Sequence, residues 1–222
     1  INKGIPGSPD DREPLEVAKA AQDIGLKHVV ITSVSRDDLS DQGAYAFART
    51  ISEVKRLLPR STVEVLTPDF SGKEALAGIV FKENPDVFNH NVETIERLYT
   101  AVRPGARLET SLNLLRSAHE YSDSLVVKSG FMVGLGEKEA EIHDLIISLK
   151  QAGCDIITIG QYIQPTKTQT PVIKYWHPDH FEAWSDLAKN VGIRYVISGP
   201  LVRSSYKAKE ALEEIRRNHG CD

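Results

Sequence analysis

Five short stretches carry the residue types from which chemistry is built. Thr32-Ser33-Val34-Ser35-Arg36-Asp37-Asp38 groups hydroxyls, a guanidinium and two carboxylates. Thr67-Pro68-Asp69-Phe70, Asn89-His90-Asn91-Val92-Glu93 and Gly160-Gln161-Tyr162-Ile163-Gln164-Pro165 add amides, an imidazole, a phenol and further carboxylates. His90, between two asparagines, has the chemistry of a general base or a metal ligand, or of a strand-end imidazole bonded to its neighbours. Asp37 and Asp38 suit paired acid–base work, or equally the capping of a following helix. In the fifth stretch Gly130, Gly134 and Gly136 lead toward a helix, which lets backbone approach a ligand closely. It has neither the Lys-Ser/Thr of a P-loop nor the GxGxxG order of a dinucleotide fingerprint, so a phosphate cradle is not the first reading. Lys128, just upstream, is a candidate Schiff-base amine for an aldolase or isomerase.

These groups need a scaffold that brings them together, and the periodicity supplies one. Pro14 opens a helix in which Leu15, Ala18, Ala21 and Ile24 recur at helical spacing before Gly25, the residue that ends it. Residues 28–34 (HVVITSV) are β-branched and almost continuously apolar, as a strand covered on both faces must be. The alternation then repeats: helix 42–58, strand 62–66, helix 73–82, strand 86–89, a short helix after Val92, helix 108–119, strand 125–133, helix 137–152 and strand 155–162. A helix over 178–191, a strand over 194–197 and a charged helix over 206–217 complete it. Repeated β-then-α predicts a parallel sheet with right-handed crossovers, in an α/β fold with too few units for a closed eight-fold barrel. A partial barrel or an open sheet remains. Each polar stretch above follows a strand, so all five converge on the C-terminal rim, where parallel α/β folds bind ligands. No internal repeat or linker divides the chain, and residues 1–222 read as a single domain.

Composition narrows the class. The chain has 222 residues, 41% of them hydrophobic, with 27 Lys plus Arg against 31 Asp plus Glu and a net charge of −4. Such a length buries about 70% of the surface its unfolded form exposes, so no staples are required. Nothing in the charge asks for nucleic acid, and no apolar run reaches the length of a membrane span. Cys154 and Cys221 are far apart, without CxxC or zinc-site spacing, which points to a reducing compartment, a buried Cys154 and a tail thiol at Cys221. The chain begins at Ile1 and its only methionine is Met132, so a processed chain or a fragment is expected.

Six blocks in order resemble lipoyl synthase, a family of radical S-adenosylmethionine enzymes: 29–39 (VVITSVSRDDL), 86–93 (DVFNHNVE), 102–106 (VRPGA), 128–137 (KSGFMVGLGE), 160–165 (GQYIQP) and 199–208 (GPLVRSSYKA). The resemblance covers nearly the whole chain. It implies a partial (β/α)6 barrel of the radical S-adenosylmethionine type, with barrel units over about 1–198 and a C-terminal motif and helix over 199–222. It implies insertion of two sulfurs at C6 and C8 of a protein-bound octanoyl group. The family's cofactors are S-adenosyl-L-methionine and two [4Fe-4S] clusters, one that reduces it to a 5′-deoxyadenosyl radical and one consumed as sulfur donor. Its partners are octanoylated lipoyl carrier proteins (lipoyl domains and the glycine cleavage H protein) and a flavodoxin or ferredoxin electron donor, with no nucleic acid or membrane. A bacterial cytoplasm is implied, or a mitochondrion or plastid in a eukaryote.

Carried over residue by residue, the resemblance places Thr32, Ser33 and Val34 near the methionine part of the cofactor. Asn89 and Asn91 fall at its nucleoside, Met132 and Gly134 in the GxIxGxxE pattern that shapes the adenosine pocket, and Gln161 and Tyr162 at the adenine. In Arg203-Ser204-Ser205-Tyr206 a serine oxygen, with Ser205 preferred over Ser204, would ligate the auxiliary cluster as its metal ligand. An oxygen beside thiolates is a poorer match to iron and leaves it labile. Capping of the last helix is the other role open to these serines. The family's CxxxCxxC loop and auxiliary cysteine triplet have no counterpart in this sequence. Asn2-Lys3-Gly4 with Pro9-Asp10 resembles the segment just after that loop, so the first strand and cluster loop are expected to be missing and the chain inactive as it stands. A non-enzymatic homologue that binds S-adenosylmethionine or a carrier protein is the alternative.

Overall fold

The computed structural model describes residues 7–219. Asn2, Lys3, Gly4 and Cys221, which the sequence reading singled out, lie outside the described residues. Six parallel strands form one open sheet in chain order: β1 (His28–Thr32), β2 (Thr62–Leu66), β3 (Val87–Asn89), β4 (Val126–Val133), β5 (Ile156–Gln161) and β6 (Tyr195–Gly199). Helices α1 (Glu13–Ile24), α2 (Ala44–Leu57), α3 (Glu74–Phe81), α4 (Tyr99–Val102), α5 (Leu108–Tyr121), α6 (Glu139–Gln151), α7 (Pro178–Asn190) and α8 (Ala208–His219) accompany them. This is the expected α/β partial barrel, with its sheet open.

The near-continuous apolarity of the strands follows from burial on both faces. Val29, Ile31, Val63, Val65, Phe88, Val127, Phe131, Ile157 and Ile159 belong to the large core beneath the helices. Their alternating neighbours Val87, Val126, Ile156 and Ile197 form a second, smaller core with Ala211, Leu212 and Ile215 of α8. The last helix therefore does not join the outer layer. It closes the inner face of the sheet at the N-terminal ends of the strands, anchored by an Arg216–Asp86 ion pair and by Arg194, which reaches both Asp155 at 3.2 Å and the Ile215 carbonyl at 3.2 Å. Asp86 and Asp155 also accept the Val63 and Val127 amides at 2.7 and 3.0 Å, which fixes where those strands begin.

Above this apolar plug the inner face turns polar. Glu64, Asn89 and Lys128 are fully buried. Lys128 Nζ lies 2.8 Å from Glu64 Oε1, Asn89 donates to the same oxygen at 3.0 Å, and His28 Nε2 stands 3.5 Å from Glu64 Oε2. Burial pushes the Glu64 carboxyl up, but His28, Lys128 and Asn89 together outweigh it and hold its pKa below the usual value. Lys128 is accordingly a fixed half of a buried ion pair, sealed from the rim, and the Schiff-base reading is corrected on that ground.

Helix ends differ from expectation in two instructive places. α2 starts at Ala44 with Gly43 as its N-cap, and the side chain that serves its first turn is Asp41, whose carboxylate accepts the Gly43 and Tyr45 amides at 3.3 and 3.0 Å. Neither Asp37 nor Asp38 caps it: Asp38 is held 2.8 Å from Arg36 instead. α6 starts at Glu139 because Glu141 reaches back to the Lys138 amide at 2.7 Å. That frees Glu137 for a different task.

Candidate functional site

Two hollows lie side by side on the C-terminal rim and share a wall made of Asn91 and Glu93. The first, about 450 Å³, is walled by the ends of β1, β2 and β3: Thr32, Ser33, Asp37, Thr67, Asp69 and Arg103. The second, about 550 Å³, runs under β4, β5 and β6 and is more apolar, with Phe131, Met132, Tyr162, Ile163, Pro165 and Val202. Each has the size of an ordinary small-molecule site. A third hollow of about 440 Å³, around Arg97, Leu108, Glu141 and Leu145, lies on the helical side, away from the strand ends.

The backbone of the dividing wall is constrained. Glu93 has φ 67, outside the region side-chain-bearing residues prefer. It is held there by its amide on the Gly130 carbonyl at 3.1 Å and its carbonyl on the Met132 amide at 2.8 Å. Burial pushes the Glu93 carboxyl up, partly offset by Arg103 and Asn91. Ser71, on the first hollow, has φ 51. Arg103, half-buried, makes its polar contacts to neutral oxygens: the Asn91 carbonyl at 3.2 Å and the Tyr99 and Ser111 hydroxyls at 3.4 Å. A guanidinium so placed is a ready anion site.

Glycines make the second hollow possible. A Cβ on Gly130 would stand 2.2 Å from Thr158 Oγ1 and 3.1 Å from Asn91 Oδ1, and one on Gly160 would stand 2.6 Å from the Val202 carbonyl. Gly134, at φ 109, serves another purpose: a Cβ there would collide with Gln161 Nε2 at 2.1 Å and the Lys174 carbonyl at 2.6 Å.

Of the expected site residues, Thr32, Ser33, Asn91, Met132, Gln161 and Tyr162 line the hollows, and Asn91 lines both. Val34 is exposed and lines neither. Asn89 lies beneath the hollows in the Glu64–Lys128 layer. Gln161 spends its amide on the chain itself, donating to the Lys174 carbonyl at 3.0 Å and accepting from the Trp176 amide at 3.1 Å. Ser204 lines the second hollow, whereas Ser205 is exposed on the turn into α8. His90 is a structural imidazole. Its two ring nitrogens meet the Thr67 carbonyl and the Ser111 hydroxyl, each at 2.9 Å, and burial is the main cause that lowers its pKa to about 4.

Glu93, Arg103 and Glu137 were not legible in the sequence as individual site residues, although each falls inside one of the six blocks. Glu137 is buried, and its carboxylate accepts the Gly134 and Leu135 amides and, at 2.8 Å, the Trp176 indole N–H. It ties the glycine turn to the 174–176 strap. Glu137→Ala leaves three buried donors unpaired and is expected to cost about 3 kcal/mol, read as a lowered urea midpoint with unchanged slope. A loss under about 1 kcal/mol would show that the turn holds without it.

A profile described as "Radical SAM superfamily" matches residues 2–149. The chain belongs to the Radical SAM superfamily. Solved structures agree in fold. Streptococcus suis SuiB bound to S-adenosylmethionine superposes with TM-score 0.66 at 14% identity, over 88% of this chain and 44% of SuiB. SuiB bound to the precursor peptide SuiA gives 0.65 at 12% identity, over 89% of this chain and 44% of that one. Methylornithine synthase, PylB, gives 0.59 at 13% identity, over 98% of this chain and 75% of PylB. The chain thus spans less than half the length of SuiB.

Radical SAM membership implies S-adenosylmethionine and an iron–sulfur cluster as cofactors. The first fits the residues present. Asn91 Oδ1 and Thr67 Oγ1 are buried at the hollows without a partner, the arrangement of a polar site that awaits a ligand. The second does not fit. Among the described residues no group of three His, Cys, Asp or Glu side chains could hold a metal. Cys154, the described cysteine, is buried ahead of β5, at the strand end opposite the hollows, and burial pushes its thiol far up. Ser205, the auxiliary-cluster ligand that the resemblance implies, therefore has no further metal-binding group beside it among the described residues. No helix among the described residues is long and apolar enough to cross a membrane.

Proposed function

We propose that this chain is the S-adenosylmethionine-binding barrel of a lipoyl synthase. One observation carries the reading: the quoted blocks, scattered over the sequence, supply most of the rim. Thr32 and Ser33 come from the first, Asn91 and Glu93 from the second, Arg103 from the third, Met132 from the fourth, Tyr162 from the fifth, and Val202 and Ser204 from the last.

In this reading the residues divide the work by chemistry. Thr32, Ser33 and Arg103 offer hydroxyls and a cation to the amino-acid end of S-adenosylmethionine. Asn91 and Glu93, on the shared wall, meet its ribose, and Met132, Tyr162, Ile163 and Val202 flank the adenine. Given an electron from an iron–sulfur cluster, for which the described residues hold no site, the bound molecule would supply hydrogen abstraction from an unactivated carbon. Selectivity then rests on position, because such chemistry does not discriminate among C–H bonds. The Gly130 and Gly160 approaches hold the second hollow to a width that a side chain would close.

The test is anaerobic reconstitution of the polypeptide at its natural length with iron and sulfide, followed by an assay on an octanoylated lipoyl domain. The proposal expects a product carrying two added sulfurs, at C6 and C8. Cleavage of S-adenosylmethionine with no sulfur in the domain would leave a Radical SAM enzyme of different reaction.

A further inference from the structure

The segments that border the second hollow differ in charge from the rest of the chain. No Asp or Glu occurs between Asp155 and Asp179, or between Asp186 and Glu210, in a protein of net charge −4. The rim portions of those segments carry Lys167, Lys174, Arg203 and Lys207. Large apolar side chains also face water on them: Leu201 is 81% exposed, Tyr175 71% and Ile173 63%, with Ile163 and Tyr206 about half exposed. Ile163 and Arg203 line the same hollow. Ile173 packs at the Gly134–Gly136 turn, where its amide meets the Gly134 carbonyl at 2.8 Å. Lys174 Nζ lies 3.3 Å from the centre of the Trp176 ring, so one of the cations is fixed in place.

We infer that this face, from 163 to 175 and from 201 to 207, docks an acidic protein surface whose modified side chain reaches the mouth of the second hollow, beside the bound adenine. The inference rests on the reading of the substrate as a protein-bound acyl group, and adds where and by what chemistry that protein is held. Apolar anchors beside unneutralised cations match a protein interface, in which apolar groups supply contact area and charge steers the encounter. A nucleic acid would call for a longer basic track and stacking aromatics. This face has four cations on two short segments, and its two exposed tyrosines, Tyr175 and Tyr206, stand among the aliphatic Ile163, Ile173 and Leu201.

The test is a fluorescence-anisotropy titration of a labelled octanoylated lipoyl domain with the full chain. Lys167→Glu/Lys207→Glu is compared with Arg60→Glu/Lys82→Glu, whose residues lie at the opposite strand ends. All variants are first checked for folding by circular dichroism. The rim variant is expected to weaken binding at least about tenfold and to flatten its salt dependence, and the control pair less than about twofold. Tyr175→Ser/Leu201→Ser should weaken binding with the salt dependence intact. If the domain binds and the rim and control variants match wild type, the docking face is wrong while the carrier reading stands. If wild type does not bind the domain, both fall, and salt-sensitive binding of RNA or of phosphatidylglycerol vesicles would assign the cations to that ligand instead.

Discussion

Lys128→Met is expected to destabilise the chain by about 3–5 kcal/mol, because it strands the ionised Glu64 carboxylate in the sheet's inner face. Glu64 and Lys128 are both fully buried and 2.8 Å apart. Against a total stability of about 5–15 kcal/mol, such a loss brings the variant close to unfolding at room temperature. The second substitution makes the cause testable. Lys128→Met/Glu64→Gln removes the uncompensated charge while its amide still meets Asn89 and His28, so the double variant should recover most of the loss. The single variant's penalty should also shrink at acidic pH, where Glu64 takes up a proton. Urea midpoints of the three proteins at two pH values decide this. A single variant within 1 kcal/mol of wild type would mean that the pair does not bear on folding.

The second large effect is a loss of stability on acidification, caused by His90. Its folded pKa of about 4 lies below the ordinary value of 6.5. A lowered histidine contributes stability that is present above 6.5 and is lost as pH falls toward 4, because only the unfolded chain takes up the proton in that window. The amount is on the order of 3 kcal/mol when the window has been crossed. Glu93 acts with the opposite sign, since its raised carboxyl binds a proton first in the folded state and so favours folding as pH drops. The two are separated by following the His90 ring protons by NMR. A midpoint near 4, with a urea midpoint that falls between pH 6.5 and 5, supports the account, and a His90 midpoint near 6.5 contradicts it.

His90 also shows where the sequence was readable and where it was not. Its strand-end placement followed from the apolar run before it, but its role depended on Ser111, which lies on α5 and which no local pattern connects to β3. The helices and strands were legible nearly throughout, because two-sided burial leaves continuous apolar strands and one-sided burial leaves periodic helices. Helix starts were misjudged where side chains competed for the same amides. Asp41 rather than Asp37 or Asp38 serves the first turn of α2, and Glu141 rather than Glu137 opens α6. The inner position of α8 was not legible: its amphipathic pattern is that of any surface helix, and only the apolar inner residues Val87, Val126, Ile156 and Ile197 of β3 to β6 distinguish its seat. In the site, residue type was a good guide to the rim and a poor one to side-chain direction. Asn89 ends β3 and Asn91 lies two residues beyond it, so that one binds Glu64 in the floor and the other faces both hollows.

The central claim is that the paired hollows meeting at Asn91 and Glu93 are the S-adenosylmethionine cleft of this Radical SAM domain. Amide chemical-shift perturbation by S-adenosylhomocysteine, the stable analogue, tests it most directly. The account expects the shifts to concentrate on Ser33, Asn91, Gly130, Gly160 and Tyr162, and to be lost in Gly160→Val, whose side chain would collide with the Val202 carbonyl. Shifts confined to the helical hollow around Arg97, Leu108 and Glu141 would contradict it, as would unchanged binding by Gly160→Val.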